Sequence, residues 1–303
     1  MGDNRLKYLF FLFAILFGKN ALALVDYSET EEASSKMESS QKFTKKVDKK
    51  SVSKNAASFD FGTSFEAVDV ADKNGAGKAT LAKIQGKFQT GHNIFVDFNY
   101  WAASSSDSQI SNDSSYQKGN PTFLLGFNWL ELGAPEEAVN VDIFGGLMIP
   151  QKDSTFASTR TDKIVGVETS KRFMDVAVGI GYEYRMTDTP SDSFELAIGN
   201  IQKLSAAIGW QVSGDIRLSV EAARVDIAAY QDFSRRSSLR EKVSYGQVSP
   251  SLQLGIAPFI NLNMGARFQT QKIKTSQNIV DARLWSNEGS YGNSLFAGIG
   301  IGI

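Results

Sequence analysis

The sequence predicts an all-β chain: a single-chain, up-and-down transmembrane β-barrel of 12 antiparallel strands, preceded by a disordered N-terminal tail. Three observations predict it. From Phe59 onward, segments of about ten residues alternate apolar with polar side chains and are broken by turn residues. Long polar loops alternate with short turns, which collects the long ones at one end of a cylinder. Ahead of the strands stands a short apolar run with a positively charged start, the pattern of an export signal.

Composition says little about partners and more about chemistry. The 303 residues carry a formal net charge of -1, so charge gives no argument for nucleic acid or an acidic surface as partner. Cys is absent, which rules out disulfides, thiolate metal sites and a lipidated Cys at a mature N-terminus.

Residues 1–23 read as a secretory signal peptide. Arg5 and Lys7 form its charged start, 8–18 its apolar core, and Ala21-Leu22-Ala23 its cleavage site. The core is about eleven residues, short of the roughly twenty of a spanning helix; an uncleaved anchor is the competing reading. Residues 24–57 are rich in Ser, Lys and Glu, with acidic residues first and Lys42, Lys45, Lys46, Lys49, Lys50 and Lys54 following. Such a stretch buries too little apolar area to offset its ordering entropy, so a disordered periplasmic tail is expected. Its Lys run would touch anionic cell-wall polymer or, as the default, act as a solvated spacer.

Residues 58–303 supply the staves. The first strand sets Phe59, Phe61, Phe65 and Ala67 against Asp60, Gly62, Ser64 and Glu66, and turns at Lys73-Asn74-Gly75. The second sets Ala82, Ile84, Gly86 and Phe88 against Lys83, Gln85 and Lys87, and turns at Thr90-Gly91-His92. The third sets Ile94, Val96, Phe98 and Tyr100 against Asp97 and Asn99. After a Ser/Asp/Asn loop at 102–120, the fourth carries Phe123, Leu125, Phe127 and Trp129. A short turn at 131–137 leads to the fifth, with Val139, Val141, Ile143, Leu147 and Ile149 opposite Asn140 and Asp142. A second long loop is expected at 150–171. The sixth then sets Met174, Val176, Val178, Ile180, Tyr182 and Tyr184 against Asp175, Gly179, Gly181 and Glu183.

Residues 193–213 keep one apolar parity through Phe194, Leu196, Ile198, Leu204, Ala206, Ile208 and Trp210. A single strand of that length would reach about 65 Å at roughly 3.3 Å per residue, against an apolar band about 25 Å tall. A hairpin at Gly199-Asn200 is therefore expected, giving the seventh and eighth strands. The ninth faces Ile216, Leu218, Val220 and Ala222 outward; the parity then shifts to Val225 and Ile227, which predicts a bulge. The tenth carries Val248, Leu252, Leu254 and Ile256, and Pro250 predicts a local break there. The eleventh sets Ile260, Leu262, Met264, Ala266 and Phe268 against Asn261, Asn263, Arg267 and Gln269. The last sets Leu295, Ala297, Ile299, Ile301 and Ile303 against Ser294, Phe296 and three glycines.

Counted this way, the long loops follow odd strands, and short turns near 91, 134, 189, 214 and 258 follow even ones. Phe59, Trp129, Tyr182, Tyr184 and Trp210 then fall near one rim, and Tyr100 and Phe268 near the other, as interfacial aromatic girdles require. A soluble sandwich or lipocalin-like barrel would show the same alternation with its apolar face inward. The even strand number and the signal segment favour the membrane.

On this pattern, residues 58–303 resemble the bacterial outer-membrane β-barrel class, without a motif of any one subfamily. The resemblance implies the outer membrane of a Gram-negative bacterium as location, and its lipid and assembly machinery as partners. It also implies extracellular long loops and periplasmic chain ends. Members commonly end in an aromatic residue, where this chain has Ile303.

Barrel enzymes resembling the outer-membrane phospholipase or the omptin proteases need a His as general base near the outer rim. The single His92 falls in a turn at the other end, so no enzyme is expected, and no cofactor or metal site. Gly298, Gly300 and Gly302 repeat every second residue and precede no helix, so they cradle no phosphate. The polar face predicts a lumen lined by Asp60, Glu66, Lys83, Lys87, Asp97, Asp142, Asp175, Glu183, Arg185, Glu195, Lys203, Arg217, Glu221 and Arg267. Charges there must pair or stay hydrated. Their mixed sign argues against an arginine-lined channel for acidic sugars and for a narrow, weakly selective pore for small hydrophilic solutes. The alternative is a structural or adhesive surface protein acting through its long loops. Arg235, Arg236, Arg240 and Lys242 cluster in one loop and would meet lipopolysaccharide phosphates if that loop is extracellular; a solvated loop face is the default.

Overall fold

The structure, a computed structural model, describes residues 57–72, 75–107, 110–111, 113–132, 137–232, 235 and 237–302. The expected signal peptide, the expected tail up to residue 56, and Ile303 lie outside the described residues. Twelve long strands and one of two residues follow in order: β1 (Ser58–Asp72), β2 (Gly75–Gln89), β3 (Ile94–Ser104), β4 (Gln117–Lys118), β5 (Thr122–Leu132), β6 (Val139–Met148), β7 (Asp162–Phe173), β8 (Val176–Thr187), β9 (Ile201–Ser213), β10 (Ile216–Ile227), β11 (Val243–Ala257), β12 (Ile260–Gln271) and β13 (Gly292–Gly302). Each long strand pairs antiparallel with its neighbours, and β1 joins β13, which closes the cylinder; β4 hangs on the end of β3.

The wall forms because strand side chains alternate faces. Along β1, Phe61, Phe65 and Ala67 point out and Gly62 and Glu66 point in. Leu125 is 60 % exposed and Ile299 51 %, so the apolar faces do not meet in a dry centre. That outward apolar surface is a lipid-facing wall, and a soluble sandwich is excluded. Glycines on the inner face make room for aromatic rings. At Gly126 an added Cβ would come within 1.9 Å of the Phe95 ring, and at Gly166 within 2.3 Å of Phe144.

The expected strand number holds, but two errors compensate. Strand β7 falls in the stretch expected to be a loop. Its outward face carries Val165, Val167 and Phe173 interrupted by Lys163, Thr169 and Lys171, and its inward Ile164 is buried beside Phe144 and Met148, so the alternation is weak. Conversely, residues 193–200 form no strand. Leu196, Ala197 and Ile198 are buried in a packed cluster of loops, while Phe194 is 83 % exposed. The Gly199-Asn200 hairpin is absent: Gly199 N donates to Ala228 O and Ala228 N to Asn200 O, tying the segment to the next loop. The short turn expected near 189 is a long loop, and the missing short turn lies at 174–175. β8 therefore runs opposite to expectation, and Tyr182 and Tyr184 point along the wall toward the loop end rather than the turn end.

The bulge expected after Ala222 is also absent. Strand β10 keeps its register against β9 there, and the only shift lies at Ile216/Arg217. What changes is polarity: Val225 and Ile227 are buried on the inner face, and Arg224 and Asp226 face out. The break expected at Pro250 does occur, as a gap in the β11–β12 ladder between Val248 and Ser251 with register preserved.

Five long loops, 105–121, 149–161, 188–200, 228–242 and 272–291, leave the same end of the cylinder. They fold over its mouth as a cap. Phe156, Leu196, Ile198, Leu239, Leu284, Trp285 and Tyr291 pack on Val68, Leu81, Trp101, Val225, Ile227 and Tyr245 of the wall in one buried cluster. The Trp285 ring lies 4.4 Å from Tyr291 and 5.1 Å from Phe156, centroid to centroid. Burying this much apolar surface drives the loops inward, and it explains why strand tips carry apolar residues on the inner face.

Candidate functional site

The interior has two halves. Below the cap the inner face is mixed: Phe95 and Phe144 are buried on it, and polar side chains stand nearer the short turns. Gln85 and Asn99 face inward, as cross-strand partners on β2 and β3, yet are exposed. Gln85 lies over Gly62 on the inner face, 3.2 Å from where a Cβ would stand. Elsewhere on the inner face, Asn128, Asn140, Asp142 and Asn263 each hold a buried side-chain oxygen without a hydrogen-bond partner in the protein. The part of the interior that Gln85 and Asn99 face is termed the vestibule.

Above it, charges pair. Glu66 on β1 stands 2.5 Å from Lys83 and 2.7 Å from Arg267, and accepts from Ser294 Oγ at 2.6 Å. Glu288 from the 272–291 loop joins them, 2.8 Å from Arg267 and 3.5 Å from Lys83. Arg185 donates to Glu183 at 2.6 Å, and Lys203 lies 3.9 Å from Glu221. In a low-dielectric interior such charges persist because each has a counter-charge.

The cap has its own polar latch. Glu195, fully buried, accepts from Ser158 Oγ, from Thr159 N at 2.8 Å and Oγ1 at 2.9 Å, and from Arg160 Nη1 at 3.2 Å. Arg160 also binds Asp162 at 2.9 Å and the carbonyl of Ala282 at 2.8 Å. Arg283 reaches Asp192 at 2.6 Å and stands 3.6 Å from Glu195. Arg235 donates to the carbonyls of Pro190 and Asp192. Four loops are thereby stitched together. Burial pushes the Asp192 carboxyl up, but hydrogen bonds from Phe194 N–H and Arg283, and the charges of Arg283 and Arg235, overcome it and hold it below the usual carboxylate range. Burial pushes the Tyr291 phenol far up, so it stays neutral; it accepts from Leu284 N at 2.5 Å and donates to Val280 O at 3.5 Å.

Of the expected lining residues, Glu66, Lys83, Glu183, Arg185, Lys203, Arg217, Glu221 and Arg267 lie on inner strand faces and are buried or half-buried. Lys87, Asp97 and Asp142 are half-buried nearer the turn end, and Asp60 is exposed at that rim. Two are misplaced. Asp175 lies in the 174–175 turn and lines nothing, and Glu195 belongs to the cap rather than the wall. Both errors follow from the misread strands on either side. Of the loop cations, Arg235 turns inward as a latch inside the cap, Arg240 and Lys242 are exposed with Lys242 3.2 Å from Asp226, and Arg236 lies outside the described residues. Arg160, Arg283, Glu288 and Trp285 were missed because loop residues have no periodicity to reveal that they turn inward. Among the described residues, no group of three or more His, Asp or Glu side chains is placed to hold a metal ion. His92 is exposed in the 90–93 turn, at the end opposite the long loops.

No protein-family model and no curated protein matches the sequence. Solved structures do match in fold. The COG4313 outer membrane channel from Pseudomonas putida F1 is 9% identical at a TM-score of 0.61, over 83% of this chain and 98% of that one. The NanC porin is 9% identical at 0.47, over 80% and 98%. Outer membrane phospholipase A from Escherichia coli is 14% identical at 0.42, over 81% and 92%. The chain has the fold of a bacterial outer-membrane β-barrel. The expectation that it is not an enzyme is corrected: a shared fold at this identity neither shows nor excludes an activity, and the position of the lone His92 excludes none.

Proposed function

We propose that this chain is an outer-membrane channel: a narrow, weakly selective passage for small hydrophilic solutes, closed on the extracellular side by its own loops. One observation carries the reading: the inner face bears exposed polar residues below a packed cap. Gln85 and Asn99 face into the vestibule, and the cap that seals it is held by side-chain contacts between loops rather than by strand pairing. Weak selectivity is expected because interior charges of both signs neutralise one another in pairs. The matching fold of a bacterial outer membrane channel supports the class of function.

The test is conductance of the full chain in planar bilayers, beside a variant with 275–288 replaced by a short Gly/Ser linker. The wild type is expected to conduct rarely and the variant steadily. A folded variant as silent as the wild type would overturn the proposal. It would favour instead the surface-protein reading, which the packed cap also supports because it presents a rigid outer surface.

A further inference from the structure

One of the charges that fasten the cap to the wall is Glu288. Two carboxylates share the same two cations there, and they are not equivalent. Glu66 is part of strand β1, is buried, and is held by Ser294 as well. Glu288 belongs to the 272–291 loop and keeps 33% of its side chain exposed. Arg267 is fixed in place, its guanidinium 4.3 Å over the Phe296 ring. The cations and Glu66 are wall, and Glu288 is the one partner that leaves when its loop leaves.

The space around it is small. A cavity of about 20 Å³ is bounded by Glu66, Lys83, Trp285, Glu288 and Tyr291 among others, room for about one water. Within this cavity a solute larger than water faces the cations by taking the place of the Glu288 carboxylate. The vestibule leads there: Gln85, exposed, is the next inward residue after Lys83 along β2 toward the turn end.

We propose that Arg267 and Lys83 form a carboxylate-binding site that Glu288 occupies as a built-in stand-in. A small carboxylate solute entering through the vestibule takes its place and frees the loop. The proposal rests on the channel reading and names its solute class. An Arg fork matches the two oxygens of a carboxylate, and the Lys adds a point charge. Exchanging one carboxylate for another leaves the charge of the cluster unchanged, so no buried cation is stranded. A neutral solute or a cation leaves one stranded. Approach from the turn end meets both signs, since Lys87 is the cross-strand partner of both Asp60 and Asp97.

The test uses the full chain in planar bilayers, in chloride and with propionate or inorganic phosphate added, beside Glu288→Gln and the 275–288 linker variant. Heat-dependent gel mobility checks that each barrel is folded. Propionate is expected to raise the open probability of the wild type about tenfold, the size of one charge-assisted contact. Glu288→Gln is expected to open to that level unaided and to ignore propionate. If propionate leaves the wild type unchanged while the linker variant conducts, this inference fails and the channel reading survives. Silence from every folded variant removes both. An equal response to phosphate overturns the assignment to carboxylates.

Discussion

Glu195→Gln is expected to loosen the cap while leaving the wall standing. Glu195 is fully buried and receives four hydrogen bonds from the 149–161 loop. An amide keeps the shape but removes the charge, and turns an N–H₂ group on donors that need acceptors. Arg160 keeps Asp162 at 2.9 Å and Arg283 keeps Asp192 at 2.6 Å, so neither cation is wholly stranded. Removing one partner of a buried ion pair costs about 3–5 kcal/mol. With second partners in place, the low end is appropriate, about 3 kcal/mol, or roughly a hundredfold in the ratio of closed to open cap. The wall is spared because Glu195 is outside every strand ladder. Limited proteolysis of the loops reads the cap, and heat-dependent gel mobility reads the barrel. A folded Glu195→Gln protein whose loops resist protease like the wild type would refute the assignment of Glu195 as the latch.

Three more outcomes are expected. Leu125→Arg places a charge on the lipid face and should lower unfolding free energy in bilayers by about 2–4 kcal/mol, whereas Asn99→Arg, inward and exposed, should change it little; equal effects would contradict the facing of the wall. Gly126→Ala drives a Cβ into the Phe95 ring and should cost about 1–3 kcal/mol by overpacking, seen as a lower temperature of gel-mobility shift; an unchanged shift would contradict that contact. Asp192 has a lowered carboxyl pKa, so its contribution is fully present above the ordinary value of about 3.9 and is lost only as pH falls below it. Protease resistance of the 188–200 loop should therefore be flat from pH 7 to 5 and decline in stronger acid. A decline between 7 and 5 that Asp192→Asn abolishes would contradict this sign.

How much was legible depends on where a residue's environment is set. Leu125, Ile208 and Ile299 were placed correctly because lipid contacts every second residue of a strand, and local spacing records that. Residues 193–200 were misread because Leu196 and Ile198 face protein rather than lipid, and β7 because Lys163, Thr169 and Lys171 interrupt its outward apolar face. Leu196 and Ile198 alternate as a stave would, but the apolar medium they meet is Trp285 and its neighbours. Val225 and Ile227 gave a real signal, a shift of parity, whose cause was an apolar cap inside the mouth rather than an extra residue in the strand.

By itself the sequence determined the antiparallel sheet, its outward apolar face, and the charged residues of its inner face. Each follows from a period of two residues repeated at strand length, which the chain carries locally. Only the tertiary structure decided whether that interior runs open from end to end. Closure depends on Glu195 meeting Arg160 and Arg283, on Glu288 meeting Arg267, and on Trp285 meeting Phe156. Those partners stand far apart in the chain, in loops without periodicity, and only folding brings them to one place.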